Sequence, residues 1–185
     1  MGEATQGPGR LELVGEFANT RDFDDDVDQL TTPAELAGWL IDHGLATPGL
    51  QARAADLRHA VELREALRDA LLANNEGEAV GAAALDVLNR AGRRGRLVTR
   101  FGPDGAASLE PVAGDVDGAL ARLLAIVHDA GETGTWSRLK VCRSDTCRWA
   151  FYDQSKNRSR HWCSMEACGS QAKARSYRRR KASQT

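Results

Sequence analysis

The sequence predicts a mainly α-helical N-terminal domain that contains one small β-hairpin, followed by a short basic module. Three observations predict this division. Apolar residues recur at helical spacing in four segments before residue 135. All four cysteines lie after residue 141. The charge also changes sign: residues 1–135 carry 12 Lys/Arg and 23 Asp/Glu, a net charge of −11, whereas residues 136–185 carry 13 Lys/Arg and 3 Asp/Glu, a net charge of +10.

We therefore divide the chain into a disordered lead (1–9), an acidic α-rich domain (10–135) and a basic module (136–185). The boundary is GETGT (131–135), which we expect to be a flexible joint. The polar, glycine-rich N-terminus has no apolar core of a secretory signal, and no apolar run has the length of a membrane helix. We expect a cytoplasmic protein without membrane contact, whose thiols stay reduced.

The first elements of the acidic domain follow from local patterns. LELVGEFANT (11–20) begins with alternation and then turns small and polar, so it is either a strand or a helix start. The acidic loop at 22–28 lacks the spacing of a calcium-binding loop and is interpreted as a solvated loop. A helix over 31–45 is predicted by Thr32 as N-cap, Pro33 in the first turn and Glu35 three residues after the cap.

The remaining elements alternate between helices and one hairpin. A long helix is predicted over about 50–73, and a third helix over 78–91, ended by Gly92. Two short runs around the turn Gly102–Gly105 predict a β-hairpin over 96–112. A fourth helix is predicted over 115–131. Its inward face has the following residues: Val116, Leu120, Leu123, Leu124 and Val127.

The cysteines form two close pairs with the spacing C-x4-C, fifteen residues, C-x4-C: Cys142, Cys147, Cys163 and Cys168. Two pairs of thiolates complete the tetrahedron that Zn²⁺ prefers, so we predict one structural zinc ion. Two disulfides would need an oxidising compartment, and an iron–sulfur cluster is the third alternative. His161 is left out of the ligand set because it would make one thiol superfluous.

The residues around the cysteines predict a treble-clef-like four-cysteine zinc finger. Val141-Cys142 leads into a turn, and the aromatic run after Cys147 suits a strand. Ser164 is placed to cap a basic helix that has Cys168 in its first turn. The aromatic residues Trp149, Phe151 and Trp162 are expected to form a small core, and Gly169 to permit a close approach. Because about 50 residues hardly build a core alone, metal binding and folding should coincide.

Two basic elements flank this centre and are predicted to bind nucleic acid. One is the turn of the finger hairpin and the other is the C-terminal helix. Their predicted contact residues are the following: Lys156, Arg158, Arg160, Lys173, Arg175, Arg178, Arg179 and Arg180. Such side chains neutralise phosphates, and a helix of this kind also fits the DNA major groove. A solvated helix on the acidic domain is the alternative interpretation.

The segments CRSDTCRWAFYDQSKNRSRHWC and WCSMEACGSQAKARSYRRRKA resemble the CGNR zinc-finger family of bacteria. LVGEFANTRDF, LTTPAELAGWL and LREALRDALL resemble the N-terminal domain that accompanies it, and together these matches cover nearly the whole chain. The resemblance implies a DNA-binding transcription regulator with an α-rich N-terminal domain. The family's Cys-Gly-Asn-Arg is here Cys168-Gly169-Ser170-Gln171, which keeps the ligand and the glycine but lacks the asparagine and the arginine.

Three functions are compatible with these features. The first is a transcription regulator whose acidic domain senses a small-molecule effector or forms a homodimer. The second is an RNA- or ribosome-associated zinc protein, and the third is a protein-interaction module. No nucleophile motif or phosphate loop accompanies the four scattered histidines, so we do not expect an enzyme. Asn19, Thr20 and Arg21 are interpreted as a polar ligand pocket or as a helix-start cap.

Overall fold

The structure is a computed structural model that describes residues 9–171 and residue 174. Within these residues the chain forms five α-helices, three two-stranded antiparallel sheets and three short helical turns. The α-helices are α1 (Glu12–Asn19), α2 (Pro33–Asp42), α3 (Ala54–Glu76), α4 (Ala82–Gly95) and α5 (Val116–Glu132). The sheets pair β1 (Arg21–Asp22) with β2 (Val27–Asp28), β3 (Leu97–Phe101) with β4 (Ala107–Pro111), and β5 (Leu139–Val141) with β6 (Ala150–Tyr152). The turns are Gly9–Leu11, Trp136–Arg138 and Met165–Gly169.

Helix α3 lies at the centre of the molecule. Its apolar residues Leu63, Leu67 and Leu71 are buried in one core together with Phe17 of α1 and Leu123 of α5. The predicted long helix is confirmed, and it extends from residue 54 to residue 76. Helix α3 ends at Gly77, whose φ of 72° lies in the left-handed region that glycine adopts without strain.

The start of α2 agrees with the predicted capping residues. The Thr32 side chain accepts a hydrogen bond from the Glu35 N–H, and the Glu35 carboxylate accepts from the Thr32 N–H in return. Pro33 occupies the first turn, where a missing N–H costs nothing. This reciprocal pair satisfies two backbone donors and fixes where α2 begins.

Two segments differ from their sequence-based predictions. Residues 12–19 form helix α1, which decides between the strand and the helix alternatives. Helix α4 starts at Ala82 and continues past Gly92 to Gly95, so the prediction that Gly92 ends it was wrong. The reason is tertiary: a Cβ on Gly95 would lie 2.1 Å from Ala121 Cβ, and glycine therefore lets the last turn of α4 pack against α5.

The hairpin predicted over 96–112 is confirmed. Strand β3 pairs with β4 in a register that places Leu97 opposite Pro111 and Phe101 opposite Ala107. Helix α5 follows, with Asp115 as its N-cap. Of the five residues predicted to face inward on α5, Leu124 and Val127 are only half-buried.

The third sheet brings the cysteine segment onto the helical core. Strands β5 and β6 contribute the buried residues Leu139, Val141, Ala150 and Tyr152 to the same core that contains Leu67. In the segment predicted as a joint, the Thr135 N–H donates to Ala130 O at 2.9 Å and Gly134 has a φ of 67°. None of the helices in the described ranges has the length and apolarity needed to cross a membrane.

A buried guanidinium ties the first sheet to α3. Both terminal nitrogens of Arg64 donate to the Asp28 carboxylate, at 2.7 and 2.9 Å, and Arg64 is 3% exposed. Burial would raise the pKa of Asp28, but the bonds from Arg64 and from the Leu30 N–H outweigh it and lower the pKa below its ordinary value. The charged form of Asp28 therefore stabilises the fold.

We predict that Asp28→Asn lowers the free energy of unfolding by about 1–3 kcal/mol at pH 7, because Arg64 loses its charged acceptor. The folded-state pKa of Asp28 is the lowered one. Its stabilisation is therefore complete above the ordinary value of 3.8 and is lost as the pH falls below it. Urea denaturation of both proteins, followed by circular dichroism between pH 7 and pH 2.5, measures this difference.

The matched control is Asp86→Asn, which removes an exposed carboxylate of α4. We expect it to change stability by less than about 0.5 kcal/mol at every pH. The role of the Asp28 charge would be contradicted if Asp28→Asn lowered the free energy of unfolding as much at pH 2.5 as at pH 7. It would also be contradicted if Asp86→Asn lowered this free energy by the same amount.

Candidate metal centre and its contacts with the helical core

The four cysteine side chains converge on one point of the structure. Their Sγ atoms all lie within 4.8 Å of one another, and all four residues are buried and free of disulfide bonds. Two of the separations are 3.5 Å, between Cys147 and Cys163, and 3.7 Å, between Cys163 and Cys168. A tetrahedron with Zn–S bonds of about 2.3 Å has edges of about 3.8 Å, so the sulfur atoms have the spacing of a zinc site.

The first cysteine pair is positioned by the end of β5 and the turn after it. The Cys142 N–H donates to Trp149 O at 2.9 Å, which continues the β5–β6 pairing past the last strand residue. The Cys147 N–H donates to Ser144 O at 3.0 Å. Arg148, directly after Cys147, has a φ of 50°, which lies in the left-handed region.

The second pair is held by a capped helical turn, as the sequence predicted. The Ser164 hydroxyl accepts from the Ala167 N–H at 3.3 Å, and the turn Met165–Gly169 presents Cys168 back toward Cys163. A Cβ on Gly169 would lie 2.9 Å from Met165 Sδ and 3.3 Å from Trp162. Glycine at this position therefore permits the close packing of Met165 and Trp162 beside Cys168.

The donor set fits a divalent soft cation. Burial raises the pKa of the Cys168 thiol, and the neighbouring Cys142 raises it further. Without a cation, Cys168 thus resists deprotonation. A zinc ion reverses this preference, because thiolates are its ligands and their charges then face a positive centre. The four cysteines can hold one zinc ion, and four sulfur ligands leave no open position for catalysis.

A small aromatic core surrounds the cluster, as predicted. Phe151 is buried among the cysteines, while Trp149 and Trp162 pack against them half-buried. The Arg160 guanidinium lies 5.1 Å from the centre of the Phe151 ring. It donates to Trp162 O at 2.9 Å and also to Cys163 O. Arg160 therefore braces the chain directly before the second cysteine pair.

A buried ion pair fixes the loop between the two cysteine pairs. Lys140 Nζ lies 2.7 Å from the Asp153 carboxylate, with exposures of 3% and 0% for the two side chains. The same ammonium donates to Arg158 O at 2.6 Å and to Arg160 O at 3.2 Å. Burial would raise the pKa of Asp153, but donors from Lys140, Ser155 and Arg160 lower it to about 2. All three protons of the ammonium thus have acceptors, which offsets the cost of its burial.

Helix α3 holds the finger through two adjacent amides, Asn74 and Asn75. Asn74 Nδ2 donates to Trp136 O and to Leu139 O, both at 3.0 Å. Asn75 Nδ2 donates to Val141 O at 2.6 Å and to His161 O at 3.0 Å. Each amide therefore joins α3 to two backbone carbonyls of the segment that contains the finger.

His161 belongs to this contact and not to the sulfur cluster. Its Nδ1 lies 2.7 Å from Asn75 Oδ1, which requires the proton on Nδ1 because the amide oxygen accepts. Burial and the nearby charges of Arg143 and Lys140 lower the pKa of His161, which favours this neutral form. Its exclusion from the predicted ligand set agrees with this geometry.

A buried arginine makes a third contact between α3 and the finger. Arg68 is 0% exposed and donates to Arg148 O, beside Cys147, at 2.8 Å. Its guanidinium also lies 4.8 Å from the centre of the Phe23 ring in the acidic loop. Arg68 therefore links the helical core, the acidic loop and the first cysteine turn.

The polar segment at the end of α1 has a different role from the predicted one. Asn19 exchanges two hydrogen bonds with the backbone of Ala150, at 3.0 Å from Nδ2 to the carbonyl and 2.7 Å from the N–H to Oδ1. Thr20 is buried and bonds to Phe17 O. The segment ends a helix and pairs with the free edge of β6. Within the described residues, Asn19 and Thr20 thus serve the fold and do not line a ligand pocket.

The structure places only part of the predicted nucleic-acid contact set. Lys156 and Arg158 are exposed on the loop after β6, whereas the Arg160 guanidinium points inward to the finger backbone. The other five predicted residues lie outside the described residues: Lys173, Arg175, Arg178, Arg179 and Arg180.

Several residues that build the site were not selected from sequence. Asn74, Asn75 and Arg68 lie in a long helix where their spacing resembles an ordinary polar face. The only available signal was two consecutive asparagines shortly before a helix-ending glycine, which is weak because asparagine is common at such ends. Asp153 was not selected either, and its buried ion pair depends on Lys140, 13 residues earlier in the chain.

A helical domain that carries a four-cysteine hairpin module, with no open metal position, defines a zinc-binding protein. Residues 11–134 match the family ABATE, described as "Putative stress-induced transcription regulator". Residues 138–181 match the CGNR zinc finger. The chain therefore belongs to the ABATE family, and it carries a CGNR zinc finger after that domain. A comparison with curated proteins finds no match.

We predict that the purified protein contains about one zinc ion per chain and that Cys163→Ser reduces this content to near zero. Removing the metal with a chelator should abolish the near-ultraviolet circular dichroism of Trp149 and Trp162, because metal binding and ordering of the finger are coupled. Elemental analysis and circular dichroism measure the two effects.

Thr146→Ala is the control, since Thr146 is exposed between the first two cysteines. It should retain the metal. The zinc interpretation is wrong if the wild-type chain binds no metal, or if the chelator leaves the aromatic signal unchanged.

We predict that Asn75→Ala lowers the free energy of unfolding by about 1–3 kcal/mol, because the carbonyls of Val141 and His161 lose a buried donor. Asn89→Ala, at an exposed position of α4, should change it by less than about 0.5 kcal/mol. Guanidinium denaturation of the zinc-loaded proteins gives both values. Equal effects of the two substitutions would show that Asn75 does not join the finger to α3.

Proposed function

We propose that the protein is a zinc-dependent DNA-binding transcription regulator of the bacterial cytoplasm, with a treble-clef finger. Its acidic domain senses a ligand or forms a homodimer. The observation that carries this proposal is the combination of a basic finger with an acidic domain of a transcription-regulator family in one chain. The four buried free cysteines suit a reducing compartment.

The described part of the finger supports one phosphate contact. Lys156 and Arg158 are exposed on the loop 153–160, and this loop is anchored by the bonds of buried Lys140 and Asp153. Arg158 also donates to Ser137 Oγ at 3.2 Å, which limits its freedom. Two cations on a braced loop lose little conformational entropy when they meet a phosphate, so the loop suits a polyanion.

The C-terminal segment supplies the second proposed contact, on the basis of its charge. Residues 173–181 contain six Lys/Arg and no Asp/Glu. The helical turn that carries Cys168 ends at Gly169, shortly before this segment in the sequence. Contacts of the segment with phosphates give affinity, and any contacts with bases in the major groove give sequence preference.

DNA is favoured over RNA because the matched family is described by transcription regulation. Treble-clef modules with basic helices also suit structured RNA, and an acidic protein partner would use the same charges. The absence of the family's Asn and Arg after Cys168-Gly169 argues that this chain contacts its target with other residues. A competition between duplex DNA and structured RNA separates these functions.

We predict that the zinc-loaded protein binds duplex DNA with an affinity that falls steeply with salt. Lys156→Gln combined with Arg158→Gln should weaken binding about equally for all sequences and reduce the slope of log K against log[salt] by about 2. Fluorescence anisotropy of a labelled 30-base-pair duplex between 50 and 200 mM salt measures the slope.

The control removes two exposed arginines from the acidic domain, Arg10→Gln with Arg58→Gln, which changes the net charge by the same amount. It should leave the slope unchanged. Salt-insensitive binding, equal slopes of the two double variants, or preference for structured RNA would refute the DNA-binding function as stated. If the protein binds DNA, mapping of its bound sites in cells identifies the targets. Sites that are lost in the Cys163→Ala/Cys168→Ala variant are those that depend on the metal centre.

A further inference from the structure

An open groove lies on the acidic domain beside the segment that leads into the finger. Its volume is about 610 Å³, within the range of small-molecule sites. The groove runs between α3, α4 and α5, and its walls are largely apolar: Leu67, Leu88, Leu97, Leu124, Val127 and Trp136. Most of these side chains are only half-buried, so they retain apolar surface that an occupant could cover.

Two arginines at this groove lack the partners that their neighbours have. Arg90 pairs with Glu62, Arg94 with Asp117 and Arg100 with Glu110, at distances of 2.9, 2.8 and 2.6 Å. In the described part of the chain, Arg93 and Arg96 have no carboxylate partner, and both line the groove. Residues 1–135 have a net charge of −11, and within the described residues this groove nevertheless carries two guanidinium groups without a carboxylate partner.

The backbone adds a second observation at the same place. Arg96 ends α4 with a φ of 51°, in the left-handed region that usually favours glycine. A bulky residue there costs conformational energy, which persists where the side chain has a use. The dipole at the end of α4 attracts a cation, which accounts for a basic residue in this turn. It does not account for a strained arginine that borders an apolar groove.

We propose that this groove binds a small amphipathic anion, with its apolar body against the leucines and Trp136 and its carboxylate or phosphate head on Arg93 and Arg96. A guanidinium donates two parallel hydrogen bonds to either head group, and such charge-assisted bonds are strong where water is partly excluded. This inference rests on the proposed ligand-sensing role of the acidic domain and defines the chemical class of the ligand.

Trp136 connects this groove to the segment that leads into the finger. Trp136 begins the turn that leads into β5, and its carbonyl accepts from Asn74. The adjacent Asn75 holds Val141, the residue before the first cysteine. An occupant that presses on Trp136 thus touches the same segment through which α3 holds the finger.

The test is calorimetric titration of the zinc-loaded full-length protein with decanoate and decyl phosphate, and with decanol as the neutral analogue. We expect both anions to bind at least about tenfold more tightly than decanol. The comparison of the two anions establishes which head group the arginines prefer. Binding of decanol as tight as that of both anions would overturn the proposal.

Three variants locate the site. Arg93→Gln combined with Arg96→Gln should weaken binding of the anions about tenfold or more, whereas Arg100→Gln, whose guanidinium pairs with Glu110, should not. Gly92→Leu should block the groove, because a Cβ at Gly92 lies 3.6 Å from Leu97 and 3.8 Å from Leu124, both in its wall. Gly92→Ala, which fits at ordinary contact distances, controls for folding.

Unchanged anion binding in the double arginine variant, or in folded Gly92→Leu, would refute the groove as the site. The titration contains no nucleic acid, so this failure would leave DNA binding by the finger unaffected. Conversely, if the protein binds the anions but no DNA, the groove is supported as a ligand site and the proposed DNA-binding function is refuted.

Discussion

Four buried sulfur atoms within 4.8 Å of one another set the main physical constraint on this protein. Such a cluster is stable in its charged form only around a cation, and the cation in turn requires every ligand to be positioned within a few tenths of an ångström. The residues around the cluster position the cysteines through local packing and hydrogen bonds. Gly169 allows Met165 and Trp162 to pack closely, and Ser164 caps the turn that carries Cys168. The Arg160 guanidinium donates to the carbonyl oxygens of Trp162 and Cys163.

The metal centre is also joined to the helical core, so the finger does not depend on its small aromatic core alone. Leu139 and Val141 are buried in the main core, and Asn74, Asn75 and Arg68 of α3 donate to finger carbonyls. The apolar contacts supply most of the stabilisation, while the amides select one orientation by satisfying particular backbone oxygens. Helix α3 therefore contacts the backbone next to both cysteines of the first pair, at Val141 and at Arg148.

Charged side chains have different roles in the acidic domain and in the finger. The acidic domain places most carboxylates on its surface or pairs them with arginines, and it leaves Arg93 and Arg96 beside an apolar groove. The finger uses part of its positive charge internally: Lys140 is buried against Asp153, and the Arg160 guanidinium faces the backbone. Lys156 and Arg158 stay exposed. Net charge alone therefore overstates how many cations of the finger loop are exposed to solvent.

The local patterns of the sequence were sufficient to predict that helices α2 to α5 exist, and they also predicted the α2 cap, the 96–112 hairpin and the grouping of the four cysteines. Each of these depends on residues close together in the chain: periodicity, a capping box, a glycine-rich turn and two C-x4-C pairs. The end of α4 and the roles of Asn19, Asn75 and Asp153 depended on partners from 13 to 131 residues away. An isolated segment does not reveal which polar side chain meets which distant carbonyl, because packing of the whole chain decides that.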